Sequence, residues 1–128
     1  MLILLKNMII ADTGFWVALA NKNDSYHQKA VEVSRLIQNE RLITTCAVMA
    51  ETCHLLLNRL GVHAQQKFIE SYSRNLWDVF ELKFEHALRI ANLMKQYVNL
   101  PMDLADASLL SSIIKSLESR FRKSITVF

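Results

Sequence analysis

Short runs that are apolar throughout alternate along this chain with longer segments whose apolar residues recur at helical spacing, and few folds accommodate that pattern. Residues 8–12, MIIAD, show no helical spacing and stop at Thr13-Gly14, which predicts a short buried strand with Asp12 at its carboxyl end. GFWVALAN then opens a helix. Asp24 and Ser25 are placed to cap a second helix, with Tyr26, Ala30, Val33 and Ile37 on one stripe and an end near Asn39. RLITT, residues 41–45, is the next strand. A helix over 47–60 follows, aligning Met49, Cys53, Leu56 and Leu60, and Gly61 closes it. The pattern continues with a helix over 63–75, a strand in WDVFEL, and a helix over 84–97 with Phe84, Leu88, Ala91 and Met94 in register. After a turn at Pro101, a last helix over 102–119 aligns Asp106, Leu110, Ile113 and Leu117, and SITVF reads as a terminal strand.

Strands that are apolar on both faces need cover on both faces. The expected fold is therefore α/β, a three-layer α/β/α sandwich with a mainly parallel central sheet. Such sheets bind ligands beyond the carboxyl ends of their strands, where Asp12 falls. With 128 residues, 52% of them apolar, the chain suffices for one packed domain over residues 1–128. Two Gly and one Pro leave short loops built from polar residues. A formal charge of +3 is weakly suggestive of a polyanionic partner. Cys46 and Cys53 are too few for a disulfide framework, and their apolar neighbours predict buried free thiols in a reducing compartment. The opening MLILLKNMIIAD is broken by Lys6 and lacks a cleavage site. It predicts neither a signal peptide nor a membrane span, and hence a cytoplasmic protein.

Four acids stand apart from the other eight, which sit among bases. Asp12 is the only charged residue between Asn7 and Asn21, Glu51 the only one from Leu42 to Asn58 with His54 neutral, and Asp103 and Asp106 the only ones from Gln96 to Ile114. A carboxylate among apolar neighbours loses hydration at a cost of several kcal/mol unless something compensates it. Asp12 at a strand end, Glu51 about one turn into a helix and the Asp103–Asp106 pair at a helix start can all reach one rim of the sheet. Carboxylates gathered there suit a hard divalent cation, Mg²⁺ or Mn²⁺, with water and phosphate in its remaining positions. Such an ion acidifies its water and offsets charge on an attacked phosphate, so the chemistry implied is phosphodiester hydrolysis.

Each acid also has a structural role open to it. Asp12 can cap the helix that begins near Gly14, and Asp103 can cap the last helix, an assignment slightly favoured over metal ligation for Asp103. Glu51 and Asp106 lie inside helices near the apolar side, where acids are rarely buried without a partner. Thr13 is equally suited to hydrogen-bonding a ligand carboxylate or to shaping the turn. His27, His54, His63 and His86 lack zinc-ligand spacing and read as surface or core residues. Lys22, Arg59, Arg89 and Lys95 are expected beside the acidic rim, holding a nucleic-acid backbone.

Taken together, IIADTGFWVALANKNDSYHQKA, LITTCAVMAETCHLLL and PMDLADASLL resemble the PIN domain, above all the VapC-type toxins of prokaryotic toxin–antitoxin pairs. The likeness spans nearly the whole chain and rests on the order and spacing of motifs that are individually weak. It implies a small ribonuclease with Mg²⁺ or Mn²⁺ held by acids, a homodimer, and an antitoxin protein that inhibits it. The family's first three acids fall on Asp12, Glu51 and Asp106, with Asp103 an additional acid. Two departures stand out. Phe128 occupies the place where the family's Thr-x-Asp motif would put a fourth acid, which implies weakened or silent catalysis, and residues 1–7 precede the likeness as an extra strand or an upstream start. The rival classes are an aspartic protease, suggested by DTG but opposed by the helical periodicity, and a module that binds RNA or an antitoxin without cleaving.

Overall fold

The computed structural model describes residues 2–5, 8–96, 99, 103–104, 106–108 and 126–127. Its strands are β1 (Leu2–Leu5), β2 (Met8–Ala11), β3 (Arg41–Thr45), β4 (Asp78–Phe80) and β5 (Thr126–Val127). Its helices are α1 (Thr13–Ala20), α2 (His27–Leu36), α3 (Cys46–Leu60), α4 (Val62–Ser73) and α5 (Ala87–Gln96), with a 3-10 turn at Phe84–His86. Residues 104 and 106–108 are helical, so the expected last helix is seen at its start, and Leu110, Ile113 and Leu117 lie outside the described residues.

The strands form one sheet in the order β4-β3-β2-β1-β5. β2, β3 and β4 run parallel, pairing Ile9 with Leu42 and Thr44 with Val79, with helices on both sides, as an α/β sandwich requires. β1 departs from the parallel expectation. It folds back antiparallel on β2, pairing Ile3 with Ile10, and β5 pairs antiparallel with β1. Residues 2–5 are thus an added strand, made possible because an apolar tetrapeptide joined by two residues to β2 can complete a hairpin at almost no loop-closure cost.

Ile9 and Ile10 are fully buried on opposite faces of β2, and Val48 and Leu56 of α3 are fully buried in the same core. Burying side chains of this size contributes about 1.5–3 kcal/mol each. Trp16 of α1 meets Phe68 of α4 at 5.6 Å and Trp77 at 4.6 Å between ring centroids, and Phe68 stacks on Trp77 at 5.0 Å. This cluster ties α1 to α4 and to the approach of β4. Phe15 and Trp16 are both core residues.

Three stripes differ from the sequence expectation. On α3 the buried line runs through Val48, Met49, Thr52 and Leu56, and Leu60 is exposed. On α5 it runs through His86, Ile90 and Leu93, whereas Phe84 and Leu88 face solvent. The chain there offers two apolar stripes, and the ring of His86, 5.3 Å from Phe80 and accepting from Lys83 N at 2.9 Å, selects the second. Tyr26, expected on the buried stripe of α2, precedes the helix and is 69% exposed. Asp24 turns the chain ahead of it by accepting from Tyr26 N at 2.8 Å. Cys46 is exposed at the first position of α3 and Cys53 half-buried, so the pair of buried thiols is not found. Between α3 and α4, Gly61 has φ 97°, and since a Cβ there would meet nothing, backbone conformation rather than space calls for glycine.

Candidate active site

β2 and β3 end at the same rim, and each hands its chain to a helix through a capped turn. Asp12 follows β2 and accepts from Phe15 N at 3.1 Å, capping α1. Thr45 ends β3 and accepts from Val48 N at 3.2 Å, capping α3. One turn into α3, Glu51 leans back across the rim and accepts from Thr13 Oγ1 at 3.1 Å. The helical residues 106–108 are tied to β3, where the buried hydroxyls of Thr45 and Ser108 lie 2.8 Å apart. Thr44 Oγ1 donates to Ala11 O at 2.8 Å and binds the two strand ends together. Sequence reasoning missed this hydroxyl set, whose signal was the Thr-Thr pair at the end of an otherwise apolar strand.

A cleft of about 370 Å³ opens on this rim, lined by Asp12, Glu51, Asp103 and Asp106 together with Thr13 and Gly14. All four expected acids therefore border one space of ligand-binding size. Asp24, Tyr26 and Arg59 also line it. Asp24 was grouped with acids that sit among bases, because Lys22 is two residues away in sequence. Of the four bases expected beside the rim, Arg59 on α3 alone lines this cleft, while Lys22 borders a separate apolar cavity with Trp16 and Trp77. Arg89 and Lys95 lie on α5 and do not border the cleft.

The electrostatics are centred on Asp106. Partial burial, then the negative charges of Asp103 and Asp12, hold its carboxyl above the ordinary value. Asp103 Oδ1 accepts from Asp106 N at 2.9 Å and Asp103 O from Ala107 N at 3.0 Å, so Asp103 does make the capping contact foreseen for it. Among the described residues no three His, Cys, Asp or Glu side chains are drawn together closely enough to hold one ion. The acids line the cleft without forming a closed ligand shell, since Asp12, Glu51 and Asp103 each hold a nearby N–H or O–H donor. The donor set nevertheless fits Mg²⁺ or Mn²⁺: it is all hard oxygen, it borders one cavity, and its members repel one another across it.

No helix among the described residues is long and apolar enough to cross a membrane. A structural comparison finds similarity to VapC20 of Mycobacterium tuberculosis, described as a sarcin-ricin loop cleaving toxin, with a TM-score of 0.76 and 20% identity over 85% of this chain and 82% of that one. At that identity the likeness concerns the fold. No curated protein matches the chain. The PIN domain family model matches residues 9–118, from the strand that delivers Asp12 to past Asp106, and the chain belongs to the PIN domain family.

Proposed function

We propose that this protein is a metal-dependent endoribonuclease, acting as the toxin of a toxin–antitoxin pair. The observation that carries the proposal is that Asp12, Glu51, Asp103 and Asp106, far apart in sequence, line one cleft at the carboxyl rim of a parallel sheet. A carboxylate that its neighbours disfavour becomes a good ligand once a cation shares the space. Asp12, Glu51 and Asp106 are assigned the catalytic role, and Asp12, Glu51, Asp103 and Asp106 the holding of Mg²⁺ or Mn²⁺. When bound, such an ion supplies an acidified water and offsets charge on the phosphodiester. The protein's own part is positional. Thr13 orients Glu51 through its hydroxyl, the Thr45–Ser108 pair sets the height of the Asp106 helix, and Arg59 offers its guanidinium to a phosphate entering the cleft.

The toxin assignment draws on membership of the PIN family and on the described activity of the similar toxin. With it go a cytoplasmic RNA substrate, a small antitoxin partner and a homodimer, for which the exposed Leu57, Leu60, Val62 and Ile69 on α3 and α4 offer apolar surface. The test is cleavage of single-stranded RNA with Mn²⁺ or Mg²⁺, with Asp12→Asn and Asp106→Asn as controls. Activity in the wild type that EDTA and either substitution abolish is the expected result. Activity retained in both variants would refute the assignment.

One observation favours a second reading, a module that binds RNA without cutting it: the carboxylates hold local hydrogen bonds and do not close a ligand shell. It predicts salt-sensitive RNA binding with no cleavage in Mn²⁺.

A further inference from the structure

Beside the acidic cleft lies a second one of about 350 Å³, of a different chemistry. It runs between α1 and α2 and is lined by Leu2, Phe15, Ala18, Ala30 and Val33, with Lys29. Gly14 and Tyr26 border both clefts, so the two adjoin there. Gly14 adds no side chain at that boundary, and Tyr26 stands on it.

Tyr26 is unusual among the aromatic residues of this region. Phe15 and Trp16 are buried, and the ring contacts among the described residues join Trp16, Phe68, Tyr72 and Trp77 into the core cluster, whereas Tyr26 enters none of them and is 69% exposed. Its backbone is nonetheless fixed. Asp24 Oδ1 accepts from Tyr26 N at 2.8 Å and Tyr26 O accepts from Ala30 N at 2.9 Å. A rigidly mounted, solvent-facing ring with two rotatable side-chain bonds costs little entropy to immobilise against a flat partner.

We propose that Tyr26 is a base-stacking, specificity-determining residue: its ring takes the face of an unstacked nucleobase adjoining the phosphate in the acidic cleft. The apolar cleft then receives that base, and Lys29 lies where the next phosphate emerges. This rests on the ribonuclease assignment and deepens it, because it commits the site to single-stranded RNA. A duplex keeps its bases paired and cannot present a free face to the ring. The adjacency of the two clefts and the change from acidic to apolar lining across Tyr26 match the alternation of phosphate and base along a strand.

The proposal is tested by fluorescence anisotropy in EDTA, which prevents cleavage, using labelled single-stranded oligoadenylate and an abasic ribose-phosphate strand of equal length. Tyr26→Ala weakens oligoadenylate binding roughly tenfold, within the range for loss of one stacked base, and Tyr26→Phe retains it. The abasic strand binds weakly and equally to the wild type and to Tyr26→Ala. An unchanged melting temperature in Tyr26→Ala accompanies this result, since the ring is not part of the core. Wild-type affinity in Tyr26→Ala, or an equal loss for both strands, overturns the stacking role. A wild type that binds neither strand yet cuts RNA with Mn²⁺ overturns it too and leaves the nuclease assignment standing; one that does neither removes both.

Discussion

The two rims of the sheet treat acidic charge in opposite ways. At the amino rim, where β3 and β4 begin, Arg41 donates through Nε and Nη2 to the two carboxylate oxygens of Asp78, at 2.7 and 2.5 Å. The same guanidinium reaches Asn75 O and Oδ1, both at 2.9 Å, and pins a turn in which Asn75 has φ 63°. The hydrogen bond from Arg41 holds the Asp78 carboxyl below its ordinary value. At the carboxyl rim five acids, Asp12, Asp24, Glu51, Asp103 and Asp106, line a cleft to which Arg59 contributes the single base among the described residues, and Asp106 is pushed up instead of down. Where the acid serves the fold, the chain supplies a bidentate partner. Where acids gather around one cleft, burial and the neighbouring carboxylates raise Asp106 instead, the arrangement expected where a cation or a reacting group is to be held.

The largest expected effect separates the rims by activity. Asp12→Asn and Asp106→Asn should lower metal-dependent RNA cleavage by at least ~100-fold, since groups that only support metal ligands already cost 10–100-fold when removed. Arg41→Met should leave the rate unchanged. Equal losses at both rims, measured under single-turnover conditions, would erase the functional contrast.

Metal should sharpen the contrast thermally. Mn²⁺ at ten times its dissociation constant stabilises the folded state by about 1.4 kcal/mol, which moves the midpoint of a domain of this size by roughly 5 °C. Asp12→Asn should lose most of that shift and Arg41→Met none of it. A shift of equal size in all three proteins would mean that the ion binds elsewhere.

A smaller effect concerns pH and the metal-free protein, and it has opposite signs at the two rims. The folded-state pKa of Asp106 lies above the unfolded value of 3.8, so the fold favours its neutral form, and stability is lost as pH rises through the window just above 3.8. Asp106→Asn should therefore raise the melting temperature at neutral pH, with the gain vanishing in acid. Asp78 is the reverse case. Its folded pKa lies below 3.8, so its stabilisation is present above that value and is lost as pH falls through the folded pKa. Asp78→Asn should lower the melting temperature at neutral pH and have no effect in strong acid. Thermal melts across this range check both, and shifts of the same sign would break the comparison.

Arg41→Met should give the smallest change, a slight loss of stability at low salt that fades as salt is added, because the pair is solvent-exposed. A loss insensitive to salt would show that the turn at Asn75, and not the ion pair, is what Arg41 holds.

Much of the fold was legible in the residues. The apolar runs at 8–12 and 41–45 became neighbouring parallel strands, and the helix after the second of them stops at Gly61 as expected. Asp12, Glu51, Asp103 and Asp106 were visible because each stands alone in an uncharged stretch. Asp24 and Tyr26 were not. Lys22 and Lys29 mask the first as an ordinary surface acid, and helical spacing with Ala30 and Val33 disguises the second as core. The phase of α5 was misjudged for a related reason, since periodicity counts apolar residues without knowing which stripe meets the sheet.

Local chemistry thus determined by itself roughly where strands and helices fall, that Asp12 and Asp103 cap the helices they precede, and which carboxylates lack a neighbour in sequence to neutralise them, whereas the cap expected of Asp24 and Ser25 on α2 is not made. These depend on contacts a few residues long. Only the tertiary structure decided that the strand ends carrying Asp12 and Thr45 share a rim, that the Thr45–Ser108 bond brings Asp106 up to it from more than sixty residues away, that Asp24 joins the cleft, and that Tyr26 stands between an acidic and an apolar cavity. The parallel order of β2, β3 and β4 sets those positions, and no pattern along the chain encodes which residues it brings side by side.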